Sequence, residues 1–260
     1  MTSVYGKIQN LITAANTVTG ESDTTLTDAM QTLVDGYGQG GDGWTSDGLA
    51  LGTEPNGEIT LSDTVSGKIK DYAFYKTPIT RLHTANVTSI ANGACSQTGL
   101  TRIEPTDMPR VTVLTGGFES CASLTYIKLT TVITNYSYAF RYCSNLVEAY
   151  FPNATANIDR TCNGCSKLRI MDCGQSNITN GTSFQNCTAL RTLIMRKTSG
   201  VQTLNAWSAN CMGGIYNNPT ESTIYVPQAL ISQYQQASNW SSAYSAGVTF
   251  AAIEGSEYEL

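Results

Sequence analysis

The chain has 260 residues and a mass of 27.9 kDa, and 41% of it is hydrophobic, enough to build the core of one large domain or of one domain with an appendage. Charged residues make up only 13%, with 15 Lys+Arg against 20 Asp+Glu and a net charge of -5, which excludes the basic footprint of a nucleic-acid binder and the polybasic stretch that anionic lipids attract. No apolar run approaches the ~20 residues of a membrane span, and no basic region followed by an apolar one marks a secretory signal in MTSVYGKIQN.

Residues 1–37 read as two short helices. Val4, Ile8, Leu11 and Ala15 share one face, and Leu26, Met30, Leu33 and Tyr37 share another. Thr25 and Asp28 resemble a capping box, and Gly36 is a stop signal. Helices this short need a partner for their stripe. They either dock on the rest of the chain or act as a self-association and attachment element through Val4, Ile8, Leu11, Leu26, Met30 and Leu33. The linker Gly38-Gln-Gly-Gly-Asp-Gly-Trp-Thr-Ser-Asp-Gly48 favours the second reading, since it is flexible by composition and separates the helices from the rest of the chain. Residues 49–64 are expected to cap the next unit, with Leu49, Leu51, Ile59 and Leu61 flanking an Asn56-Gly57 turn as a hairpin.

From residue 65 to 214 the chain repeats. Phe118, Cys121 and Leu124 recur as Phe140, Cys143 and Leu146, as Cys162, Cys165 and Leu168, and as Phe184, Cys187 and Leu190. The Cys slot therefore returns every 22 residues, at 121, 143, 165 and 187. Two earlier copies, Phe74-Thr77-Ile79 and Cys95-Thr98-Leu100, are one residue shorter before the Leu slot, and a degenerate seventh copy runs through Trp207 and Cys211. After each Leu slot the pattern is apolar-x-x-apolar-x-apolar, as in Leu124-Thr-Tyr-Ile127-Lys-Leu129, the period of a strand with one buried face and the mark of a leucine-rich repeat. One rung cannot bury its own apolar face; rungs stacked as parallel strands about 4.8 Å apart can. The fold class is a repeat solenoid of about six to seven rungs of ~22 residues, with a small helical N-terminal segment and capped ends.

The run Asp71-Tyr-Ala-Phe-Tyr75, the block Ser137-Tyr-Ala-Phe-Arg-Tyr-Cys-Ser-Asn-Leu146 and the closing Ile224-Tyr-Val-Pro-Gln-Ala-Leu230 resemble the BspA-like leucine-rich repeat proteins of bacterial surfaces, some protozoa and phages of gut bacteria. The resemblance covers roughly residues 65–253. It implies a non-enzymatic adhesion or recognition module.

Residues 215–260 are expected to close the far end. Ile224 and Val226 mark a strand, Pro227 opens a helix carrying Leu230, Tyr234 and Trp240, and Val248, Phe250 and Ile253 mark another strand.

Several motifs have plainer explanations. Cys162-Asn-Gly-Cys165 is a C-x-x-C match, yet these are the Phe and Cys slots of one rung, and no second pair accompanies them. The eight Cys are expected to be buried free thiols, because residues stacked one rung apart lie too far apart for a disulfide. Gly38 to Gly43 fits G-x-G-x-x-G without the strand-to-helix context that gives it meaning. His83 has no Ser/Asp or Cys arrangement near it in the pattern and reads as a surface strand residue. No acid/base pair, nucleophile or metal set emerges, so neither an enzyme, a cofactor nor a bound metal is expected.

A solenoid binds on the surface lined by its strands. The outward positions lie two and four residues after each Leu slot: Arg81 and His83, Arg102 and Glu104, Tyr126 and Lys128, Glu148 and Tyr150, Ile170 and Asp172, Thr192 and Ile194. The first eight carry most of the clustered charge and aromatic content of the chain and are the candidate ligand-binding residues; a merely solvated strand face also needs polar residues. The expectation is a recognition or adhesion protein displayed as a homo-oligomer on a larger assembly through its N-terminal helices. A phage virion component, made in the host cytoplasm and contacting a bacterial surface polymer or protein, fits best. The alternatives are a structural or decoration subunit without an external ligand and a cell-surface or secreted bacterial adhesin.

Overall fold

The computed structural model of the chain describes residues 57–61 and 63–260. The expected helices at 1–37 with Val4, Ile8, Leu11, Leu26, Met30 and Leu33, the linker at 38–48, and Leu49, Leu51 and Asn56 of the expected hairpin lie outside the described residues.

Among the described residues every strand pairing is parallel. Strands β1 (Glu58–Thr60) and β3 (Arg81–His83) pair with each other, as do β2 (Ser66–Ile69) and β4 (Asn86–Ile90). A seven-stranded sheet then runs in chain order: β5 (Arg102–Ile103), β6 (Tyr126–Lys128), β7 (Glu148–Tyr150), β8 (Ile170–Asp172), β9 (Thr192–Ile194), β10 (Thr223–Val226) and β11 (Thr249–Ala252). This is the leucine-rich-repeat solenoid that the 22-residue period predicts. The central strand residues Leu82, Ile103, Ile127, Ala149, Met171 and Leu193 all point inward and are buried. So are the Leu slots from Ile79 to Leu190 and the Phe-slot residues from Phe74 to Phe184. Phe140 stacks on Phe118 and Phe151, with ring centroids 5.5 and 5.6 Å apart. A second wall is marked by single parallel bridges, Ser89–Val113–Asn135 and Ile158–Ile178–Leu204.

The turn that carries the Phe slot keeps the backbone bonded between rungs by alternating its conformation. The residues two before and two after Phe140, Tyr138 and Tyr142, have φ of 57° and 62°. As a result Tyr138, Phe140 and Tyr142 donate their N–H groups to Asp159, Thr161 and Asn163 of the next rung, at 3.1, 2.9 and 2.8 Å. The intervening Ala139, Arg141 and Cys143 donate within their own rung, to Tyr136, Tyr138 and Phe140. A left-handed conformation costs an L-residue about 1–2 kcal/mol, whereas a buried unpaired N–H costs about as much or more, so the turn keeps both tyrosines strained. The preceding rung places glycine at the first of these positions, Gly116 with φ 59°, where a side chain would meet Asn92.

All eight cysteines are free and buried. Each thiol in the repeated slot has a hydrogen-bond partner of its own. Cys121, Cys143, Cys165 and Cys187 donate S–H bonds of 2.9–3.1 Å to the carbonyls of Cys95, Phe118, Phe140 and Cys162 in the preceding rung. The two early rungs hold Thr77 and Thr98 in this slot, whose hydroxyls cap the carbonyls of Phe74 and Cys95. The slot selects a small donor. On the outer walls threonines do likewise: Thr125 donates to Thr101, and Thr134 to Thr112, which donates to Thr88. These hydroxyl-to-carbonyl ladders link rungs without using charge, beside the few ion pairs that the chain makes.

At the far end β10 and β11 fall on the segments that the alternation marks as strands. Helices α1 (Ala209–Met212) and α2 (Gly214–Asn217) complete the degenerate rung, with Cys211 buried and Trp207 against Tyr216 at 5.2 Å. Beyond β10, a short 3-10 turn leads into α3 (Ile231–Gln236), which carries buried Tyr234. Trp240 does not share this helix, contrary to the pattern. Ala237 is extended and Asn239 has φ 64°, so Trp240 opens a separate helix, α4 (Trp240–Ser245). Both rings meet at buried Gln202: Trp240 Nε1 donates to its carbonyl at 2.6 Å, and the Tyr234 hydroxyl donates to its Oε1 at 3.1 Å.

Candidate recognition face

The outward residues of the strands form two columns set by the register. One runs Arg102, Tyr126, Glu148, Ile170, Thr192 and Thr223; the other runs Lys128, Tyr150, Asp172, Ile194 and Tyr225. A parallel ladder stacks like positions, so each column brings its side chains together at one-rung intervals.

At the N-terminal end the face is a charged cluster. Arg81 and His83 stand on β3. Arg81 Nη2 donates to both oxygens of Asp107, at 2.8 and 3.0 Å, and this contact holds its guanidinium above the usual arginine range. His83 lies between Glu58, 2.6 Å from Nε2, and Asp107, 2.9 Å from Nδ1. It is therefore not the unpartnered surface residue that its spacing implied. Asp107 also accepts the Glu104 N–H at 2.7 Å and is almost wholly buried. It comes from a rung longer than those on either side of it, where Phe118 lies 18 positions after Leu100 against 16 from Leu124 to Phe140. That irregular spacing marks a departure from the period without saying which side chain the extra residues bring back.

The middle of the face is aromatic. The Arg102 guanidinium lies 3.6 Å from the centroid of the Tyr126 ring and pairs with Glu104. Tyr126 and Tyr150 follow at 5.8 Å, and the Tyr150 hydroxyl donates to Glu148 at 3.1 Å. Burial, then the Glu148 carboxylate, push the Tyr150 phenol well above its ordinary range, so it stays a neutral donor. Lys128 stands beside Tyr150, half-buried. The face from Arg81 to Tyr150 thus collects Arg81, His83, Arg102, Glu104, Tyr126, Lys128, Glu148 and Tyr150 on one surface.

The C-terminal part of the face differs from the expectation. Asp172 and Ile194, read as outward, are buried. Arg196 folds over Asp172, with Nε donating at 2.9 Å, and its Nη2 donates to the Tyr258 carbonyl at 2.8 Å. The Tyr258 ring packs edge-on against Tyr225 at 4.7 Å. The last residues of the chain therefore lie against the strand face from β8 to β10. Burial pushes the Asp172 carboxyl up, with Arg196 opposing it.

Among the described residues no group of three or more His, Cys, Asp or Glu is arranged to hold a metal ion, and no helix is long and apolar enough to cross a membrane. Comparison with curated proteins and with solved structures gives no match. Residues 67–191 match, in six copies, the family model described as a BspA type leucine rich repeat region. With its parallel rungs and outward strand face, the chain carries over residues 67–191 a BspA-type leucine-rich repeat region, a repeat type that points to surface adhesion and recognition.

Proposed function

We propose that the protein is a non-enzymatic recognition module displayed on a larger assembly, a tail or fibre component of a phage virion, and that it contacts a bacterial surface polymer or protein through the face formed by β3 to β7. The observation that carries this reading is the uneven use of the strand face. The chain's own last residues occupy the part from β8 to β10, while Arg102, Tyr126, Lys128 and Tyr150, from both columns, stay exposed or half-exposed. Arginine and tyrosine at the centre of a face are anchors that bury much area with little lost freedom. The amphipathic segments of residues 1–37 and the Gly-rich linker after them supply the attachment and copy-to-copy contacts in this scheme.

Fluorescently labelled full chain, applied to a panel of whole bacteria, tests the face. Changing Arg102, Tyr126, Lys128 and Tyr150 together to Ala is expected to abolish cell binding without unfolding the chain. Arg81 is left intact because its loss would strand buried Asp107. Unchanged binding by the variant moves the site elsewhere, and failure of the parent to bind any cell favours a structural subunit. Mass spectrometry of purified virions and of bacterial envelope fractions separates the two assemblies. Light scattering on residues 1–260 and 49–260 is expected to give a larger particle for the longer chain; equal masses refute helix-driven oligomerisation.

A further inference from the structure

Where the C-terminal segment meets the strands, it leaves a cleft of about 370 Å³ at the N-terminal ends of β7, β8 and β9. That volume lies within the range of small-molecule sites, roughly 300–1,000 Å³. Its walls come from opposite sides. Glu148, Arg169, Ile170 and Arg191 belong to the rungs, and Glu257 and Tyr258 to the chain end.

The two arginines precede register partners, Ile170 and Thr192, and so stand on consecutive rungs, with backbones about 4.8 Å apart. Stacked cations repel unless something lies between or beside them. Arg191 is partly engaged: Nη1 donates to the carbonyls of Thr188 and Leu190, and Nε lies 3.6 Å from Glu221. Among the described residues the Arg169 guanidinium has no hydrogen-bond or ion-pair partner. An arginine fork presented in a concave wall without a direct ion-pair partner matches a carboxylate or phosphate.

The carboxylates narrow the choice. Glu148 accepts the Tyr150 hydroxyl at Oε2 and also lines the cleft, and Glu257 stands beside the Tyr258 phenol. Two carboxylates in the same cleft repel a bare polyanion but accept hydroxyl protons. The ligand must therefore carry one negative group together with hydroxyl donors. It must also present an apolar face to Ile170 and the Tyr258 ring.

We infer that this cleft binds an acidic saccharide unit, a sugar ring with one carboxylate and free vicinal hydroxyls. Arg169 and Arg191 hold the carboxylate, Glu148 and Glu257 accept hydroxyls, and Tyr258 covers the ring. The inference rests on the reading of the strand side as a recognition surface and names a ligand class for its covered end. It makes the C-terminal segment a wall of the site.

Isothermal titration of the full chain with glucuronate and galacturonate tests this, against glucose, galactose, acetate and phosphate. Millimolar binding of a uronate is expected, with the matching neutral hexose, acetate and phosphate each weaker by about tenfold or more. Arg169→Ala is expected to remove that binding with an unchanged melting temperature, because the side chain is exposed, and Arg169→Lys to retain part of it. No uronate binding, equal binding of the neutral hexose or of phosphate, or an unaltered affinity in Arg169→Ala overturns the inference. The outcome is separable from the wider reading. Cell binding that survives while uronate binding is absent refutes the saccharide cleft alone, and absence of cell binding by the parent refutes the recognition role.

Discussion

Phe140 shows how a single slot holds the stack together. It has no solvent exposure, lies between Phe118 and Phe151, and its N–H bonds the next rung. Phe140→Ala is expected to cost about 3–5 kcal/mol, the loss typical of a buried aromatic that leaves a cavity. Urea denaturation measures it, and a loss under about 1 kcal/mol would take the residue out of the core. The Cys slot has the same logic with a polar addition. Burial pushes the thiols of Cys95, Cys143, Cys165, Cys173 and Cys187 well above the usual thiol range, and the thiolate is the reactive form. Maleimide labelling of the native chain is therefore expected to leave these five unmodified, with modification appearing only in denaturant. Rapid native labelling of any of them would mean that its rung opens. The pattern located these slots without the structure, since a 22-residue recurrence of Phe and Cys has no explanation on a solvated surface.

Elements repeat faithfully where the period is regular and depart where it is not. The strands β6 to β9 fall where the alternation places them. Asp107 was not legible, because nothing in a local pattern says that two extra residues in one rung return a carboxylate to Arg81 and His83 on the rung before. The C-terminal elements illustrate the same limit, since helix periodicity carried Trp240 onto the helix of Tyr234 and a left-handed Asn239 breaks it off. What unites that end is Gln202, whose carbonyl and side chain take both rings. Burial pushes the Tyr234 phenol from the usual 10 up to about 12. A raised folded value means that this residue's stabilising contribution is full below pH 10 and is lost as pH rises through about 12. The loss is roughly 2–3 kcal/mol over that window. Chemical denaturation between pH 8 and 12 is expected to show a steeper alkaline decline for the parent than for Tyr234→Phe. Parallel pH profiles would mean that the phenol is not held neutral by the fold.

At the scale of the molecule, each rung contacts its neighbours, and stability is close to a sum of rung and interface terms. Deleting residues 144–165, one whole period from the middle, is expected to leave a shorter solenoid that still unfolds cooperatively. Its urea m-value should fall with the surface no longer buried. Circular dichroism and denaturation check both, and an unfolded product would show that the ends depend on this rung. The candidate face scales the same way: its columns exist only because like positions stack.

The sequence by itself determined the repeat, the parallel stacking, the buried slots and the columns that face outward. These come from a period, and a period acts locally: alternation chooses the buried side of each strand, and stacking carries that choice from rung to rung. Only the tertiary structure decided which part of the face stays open. That depends on contacts between residues far apart in the chain, Asp107 with Arg81, and Tyr258 with Tyr225 and Arg196. Non-periodic segments make these contacts, and their docking is set by the surfaces they happen to meet.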